Sequence, residues 1–111
     1  MDKRKIHTII RKYNQFNSRF GDDQFNIRIT PYCNGNFEDF ELYSVKCGSD
    51  VELETSEVSE LFDYILDELD YYENNISCDY QWYEENGLEN GNTRKFFKRI
   101  INDLKILIKE N

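Results

Sequence analysis

The sequence predicts one α+β domain spanning residues 1–111, and three observations predict it. Three segments repeat apolar residues every three or four positions, the period of a helix with one buried face. Between the first and second of these lie short runs that alternate apolar and polar residues, the period of a half-buried strand. Turn residues separate those runs closely enough for antiparallel pairing, so the helices pack on a small sheet instead of alternating with its strands. The expected order is an N-terminal helix, a two- to three-stranded antiparallel sheet, then two to three helices. The length suits one domain, and 39% hydrophobic residues, with eight Phe and eight Tyr, suffice for one core.

Each element follows from its own residues. Ile6, Ile9, Ile10, Tyr13, Phe16 and Phe20 share one helical face, with Arg4, Arg11, Lys12 and Arg19 opposite, and Gly21-Asp22-Asp23 stops the helix. Phe25, Ile27 and Ile29 alternate with Asn26, Arg28 and Thr30 in a strand that Pro31 is expected to end. Asn34-Gly35-Asn36 signals a turn. A second strand is expected over 37–47, where the apolar set shifts from Phe40 and Leu42 to Tyr43 and Val45, as a bulge would produce. Gly48-Ser49-Asp50 signals another turn before a short strand carrying Val51 and Leu53.

Ser56 is the expected N-cap of the second helix, with Glu57 and Glu60 in its first turn. Val58, Leu61, Phe62, Ile65, Leu66, Leu69 and Tyr72 form its apolar stripe. At 100° per residue, Glu60, Asp63, Asp67 and Asp70 gather opposite, flanked by Glu57 and Glu68, with Tyr64 and Tyr71 pointing the same way. Residues 73–92 are less regular, with a short helix around Asp79–Glu85 and then a loop through Asn86-Gly87 and Asn90-Gly91. Thr93 is the expected cap of a last helix with Phe96, Phe97, Ile100, Ile101, Leu104, Leu107 and Ile108 inward. Arg94, Lys98, Lys105 and Lys109 form its outer face.

The net charge of −8 is unevenly spread. Residues 1–20 carry +5, residues 21–92 carry −17 with only Arg28 and Lys46 as cations, and residues 93–111 carry +4. So acidic a centre repels free nucleic acid and favours a basic partner surface, which makes direct nucleic-acid binding an unfavoured reading. No stretch approaches a membrane span, and no apolar signal core follows the basic N-terminus, so a cytoplasmic chain is expected. Three cysteines without paired spacing read as reduced thiols.

Catalytic parts are missing from the pattern. His7 is the only histidine, the glycines sit singly in turns, and no acid stands two residues before Lys46 as a metal-dependent nuclease strand requires. A zinc site from His7, Cys33, Cys47 and Cys78 lacks the close cysteine pairs of structural zinc centres. No enzyme, cofactor or metal site is expected.

Two features carry the functional expectation. The acidic ridge Glu60, Asp63, Asp67 and Asp70 sets like charges at i, i+3 and i+4, which a helix tuned for stability alone avoids. Beyond it, Tyr71, Asp79, Tyr80, Trp82, Tyr83, Glu84 and Glu85 interleave acids with rings of the types that dominate binding hot spots. These eleven residues are the expected partner-binding surface, suited to a basic, nucleic-acid-binding cleft on another protein.

In architecture and charge over most of its length, the chain resembles the phage-encoded anti-CRISPR proteins, and looks most like the small acidic inhibitors of type II-A effector nucleases. The features shared are a helix, a small antiparallel sheet, then acidic helices, in a chain rich in Asn, Lys, Ile, Tyr and Glu. The resemblance implies a phage or mobile-element inhibitor acting in the bacterial host cytoplasm on a CRISPR effector nuclease. Some members of that group place carboxylates where DNA phosphates would sit, which implies a DNA mimic here. The resemblance includes no diagnostic motif and assigns no residue a role, and the basic helix 94–109 departs from the pattern of a pure mimic. Other readings of the same residues are an immunity protein or antitoxin against a basic nuclease toxin, a nucleic-acid-binding module on the basic helix faces, and a charge-driven homo-oligomer.

Overall fold

The structure, a computed structural model, describes residues 2–20, 25–32, 40–75 and 78–110. The expected helix stop Gly21-Asp22-Asp23, the turn Asn34-Gly35-Asn36, Cys33 and the start of the second strand at 37–39 lie outside the described residues. Helix α1 (Lys3–Arg19) buries the stripe its spacing dictates, Ile6, Ile9, Ile10, Tyr13 and Phe16, with Phe20 just beyond it. Asp2 caps it by accepting from the Arg4 N–H at 3.0 Å.

Three strands follow, β1 (Phe25–Tyr32), β2 (Phe40–Cys47) and β3 (Asp50–Thr55), antiparallel in the order β1-β2-β3. Two strand expectations need correction. Pro31 does not end β1, which runs on to pair Pro31 with Glu41 and Tyr32 with Phe40. The reason lies at Ile27, whose N–H and C=O face away from β2 and bond to the Asn14 side chain of α1 at 2.8 and 3.1 Å. Backbone groups alternate direction along a strand, so the Pro31 nitrogen also faces the outer edge, where its missing N–H costs no ladder bond.

Nor does β2 bulge between Leu42 and Tyr43. Its pairing with β1 is regular from end to end. Tyr43 and Val45 are buried under the helices, whereas Phe40 and Leu42 belong to the opposite sheet face. There Phe40, 41% exposed, stacks on Tyr32 with centroids 5.0 Å apart. The irregularity sits in β3, where Val45 opposes Leu53 and Lys46 opposes Val51, leaving Glu52 as the extra residue. Gly48, at φ +62°, opens the two-residue turn between β2 and β3, where a side chain would be strained.

Helices α2 (Val58–Asn74), α3 (Tyr80–Glu85) and α4 (Gly91–Lys109) complete the chain. Both expected caps shift. The N-cap of α2 is Glu57, not Ser56, and no side chain caps the helix; the buried Thr55 hydroxyl instead ties the entry to its first turn, accepting from the Glu57 N–H at 3.0 Å and donating to Glu60 at 3.1 Å. Asn90, not Thr93, caps α4, its side-chain Oδ1 accepting from the N–H groups of Asn92 and Thr93 at 2.9 and 3.3 Å. Asn is the stronger cap, so α4 begins inside the segment the sequence reads as loop.

Between α3 and α4 the chain makes a Schellman turn. Gly87, at φ +69°, donates to the Glu84 carbonyl and Leu88 to that of Tyr83. This turn drives Leu88 into the core, a burial the surrounding polar sequence gave no reason to expect. The core lies on one side of the sheet, where α1 packs on β1, α2 on β3, and α4 against both α1 and α2. Phe96, expected inward, is half-exposed beside Phe20, with the Arg99 guanidinium over its ring. Among the described residues no helix is long and apolar enough to cross a membrane.

Candidate functional site

The outward face of α2 carries its acids as the helical period dictates, with Glu60, Asp63, Asp67 and Asp70 all exposed. Their surroundings divide them. Glu60 is held by Thr55, and Asp70 by Lys105 of α4, which also reaches Glu73 at 3.4 Å. Lys105 holds the Asp70 carboxyl below the usual carboxylate range through a hydrogen bond and its charge. Asp63 and Asp67 make no ion pair among the described residues. On the flank toward β3, Glu68 is half-buried, and burial raises its pKa, with the Glu52 and Asp67 carboxylates adding to the shift. Burial likewise pushes the Tyr64 hydroxyl up to about 12, aided by Glu68 and Glu52.

The expected outer face of α4 holds in part, with Lys98 and Lys109 exposed and the other two residues drawn inward. Arg94 and Lys105 are half-buried against α3 and α2, the Arg94 guanidinium donating to the Tyr83 hydroxyl at 2.6 Å. Lys109 also acts on Asp70. One edge of α4 therefore supplies counter-charge to α2 through Lys105 and a hydrogen bond to α3 through Arg94.

Helix α3 sorts the aromatic segment into two sets. Asp79 caps it, accepting from the Trp82 N–H at 3.1 Å. Trp82 is stacked on Tyr72 at 5.9 Å and meets Phe97 edge-on at 6.0 Å. Tyr71 and Tyr80 stand out at 63% and 67% exposed. Tyr83 is half-buried, stacked on Tyr80. Glu84 sits beside the Tyr80 hydroxyl, whose pKa it raises by accepting its hydrogen bond and by its charge. Glu85 accepts from Gln81 at 3.0 Å.

Tyr71, Asp79, Trp82 and Glu85 come together on one cleft of about 670 Å³ between the C-terminal ends of α1 and α2 and helix α3. Tyr80, Tyr83 and Glu84 do not line it. Asp63 and Asp67 lie along α2 from the cleft, roughly 12 and 6 Å from Tyr71 by helical rise. The cleft adds Ser18, Arg19, Asn75, Cys78 and Asn86, none of which the sequence placed on the partner-binding surface. Asn75 and Asn86 are the C-caps of α2 and α3, so a helix-stop signal could have found them.

Elsewhere, His7 of α1 bonds through Nε2 to Glu41 of β2 at 2.8 Å. Among the described residues no group of three His, Cys, Asp or Glu side chains is arranged to hold a metal ion. No family model, curated protein or solved structure matches this chain.

Proposed function

We propose that this chain is a small acidic inhibitor, of the anti-CRISPR type and encoded by a phage or mobile element, that binds a host nucleic-acid enzyme through the outward faces of α2 and α3. The observation that carries the reading is the pair Asp63 and Asp67, exposed four residues apart with no ion pair among the described residues, on a segment with no cation between Lys46 and Arg94. Like charges so placed weaken a helix, and a basic partner cleft would relieve them. Carboxylates in a row at helical spacing, with Tyr71 and Tyr80 exposed nearby, suit a cleft that otherwise holds phosphates and bases. Two cations of the basic helix agree with this reading, because Arg94 is engaged by Tyr83 and Lys105 by Asp70 and Glu73.

The test is a pull-down at moderate salt from a bacterial lysate supplemented with guide-loaded type II-A effector nucleases, using the tagged chain and its Asp63→Lys/Asp67→Lys variant. Capture of an effector by the native chain and not by the variant is the expected result. Equal capture by both, or recovery of nucleic acid instead of an effector, overturns the reading.

A further inference from the structure

Three helix C-termini meet at the cleft beside Tyr71, and they differ in where their counter-charge comes from. A helix C-terminus carries partial negative charge from its unpaired carbonyls. Helix α1 ends on Arg19, a cation in its last turn. The 17-residue helix α2 has no Lys or Arg of its own in its last turn and takes Lys105 of α4 on Asp70 and Glu73 instead, whereas α3 has no cation in its last turn. Asp79 and Glu85 add two full negative charges to the α3 wall.

The floor is aromatic and held rigid. Tyr72 and Trp82 stack at an interplanar angle of 29°, and each is fixed edge-on by a core ring, Tyr72 by Phe16 at 5.4 Å and Trp82 by Phe97 at 6.0 Å. Tyr71 stands edge-on to Tyr72 at the mouth. Asp79 commits Oδ1 to the α3 cap and Glu85 commits Oε1 to Gln81, and a carboxylate has a second oxygen to offer. Fixed rings with two carboxylates beside them, on a wall to which α3 brings no cation of its own, suit a flat cation.

We infer that this cleft receives an arginine side chain of the protein partner, its guanidinium stacked on the Tyr72/Trp82 floor and bonded to Asp79 and Glu85. Arginine fits better than lysine because a planar guanidinium stacks on rings and bonds carboxylates in a fork, whereas an ammonium does neither as well. Arg19 lies on the α1 wall with its guanidinium 4.6 Å from the Phe20 ring, so it opposes a cation and would assist an anion. The inference rests on the inhibitor reading above for the existence of a protein partner.

Trp82 is the only tryptophan in the chain, so its emission reports on the cleft. The probe is the capped tripeptide acetyl-Gly-Arg-Gly-amide, with Lys and Glu in place of Arg as comparisons and inorganic phosphate as an anion. The arginine peptide is expected to shift Trp82 emission saturably and at lower concentration than the lysine peptide. Asp79→Asn with Glu85→Gln, which keeps the cap and the hydrogen bonds, should weaken it about tenfold. Arg19→Gln should tighten it about threefold. A response to phosphate or to the glutamate peptide that Arg19→Gln abolishes makes this an anion site and overturns the inference. So does a response unchanged in the Asp79→Asn/Glu85→Gln variant, or no response. Effector capture is scored separately. If the native chain captures an effector while Trp82 ignores the arginine peptide, the cleft inference falls alone. If Trp82 responds but no effector is captured, the inhibitor reading falls instead.

Discussion

Replacing both Asp63 and Asp67 with lysine sets what a helix needs against what a partner needs. The native ridge holds three repulsive neighbours on α2, namely Glu60 with Asp63, Asp63 with Asp67, and Asp67 with Asp70. Each such pair at i, i+3 or i+4 costs about 0.2–0.5 kcal/mol. With lysine at 63 and 67, the first and third pairs become attractive and only the middle one stays repulsive. Two sign changes give about 1–2 kcal/mol, and the lower end is the better figure because Asp70 is already engaged by Lys105. The variant is therefore expected to gain about 1 kcal/mol, which for a domain of this size raises Tm by about 4 °C. Urea unfolding and thermal melts measure it. In 1 M salt, where the screening length falls to about 3 Å, most of the gain should vanish. A variant less stable than the native chain at low salt would mean that these carboxylates hold the fold. A gain that survives high salt would mean that charge is not its cause.

The other predictions concern groups off the ridge. Asn14→Ala strips the outer edge of Ile27 of two hydrogen bonds and should cost about 1–2 kcal/mol, read by urea unfolding, with faster hydrogen exchange at the Ile27 amide; unchanged exchange there would count against the bidentate contact. Glu68→Gln should stabilise the fold at neutral pH. Because the folded pKa of Glu68 lies above the ordinary 4.5, its penalty is complete at pH above the folded pKa and fades as pH falls through that value toward 4.5. The stability gap between native and variant should close over that window, and a gap independent of pH would refute the burial argument.

The helical stripes, their order and the acidic face of α2 were legible because one periodicity dictates each, and the α+β architecture followed from their sequence. Caps were less legible. Ser56, Thr55 and Glu57 are neighbours, as are Asn90 and Thr93, and which one caps depends on where the preceding chain delivers the backbone. Period two told that Phe40 and Leu42 oppose Tyr43 and Val45 but not which face the helices cover, so two faces read as one shifted face. Leu88 gave no periodic signal at all, since the turn at Gly87 buries it. Within the site, Tyr71 and Tyr72 separated cleanly on the helical wheel of α2. The same rule says little for α3, whose six residues make under two turns, so Trp82 inward and Tyr80 outward had to come from packing. The engagement of Lys105 with Asp70 joins residues 35 apart and depends on how α4 lies against α2.

The most direct test of the central claim is competition for a guide-loaded type II-A effector nuclease between this chain and a duplex carrying its target and protospacer-adjacent sequence, followed by gel shift. The account predicts that the native chain, added before the duplex, prevents its binding at near-stoichiometric amounts, and that the Asp63→Lys/Asp67→Lys variant, folded and no less stable, does not. If the effector binds the duplex equally well with either chain present, or if both chains block it equally, the acidic face of α2 is not the surface through which this protein acts.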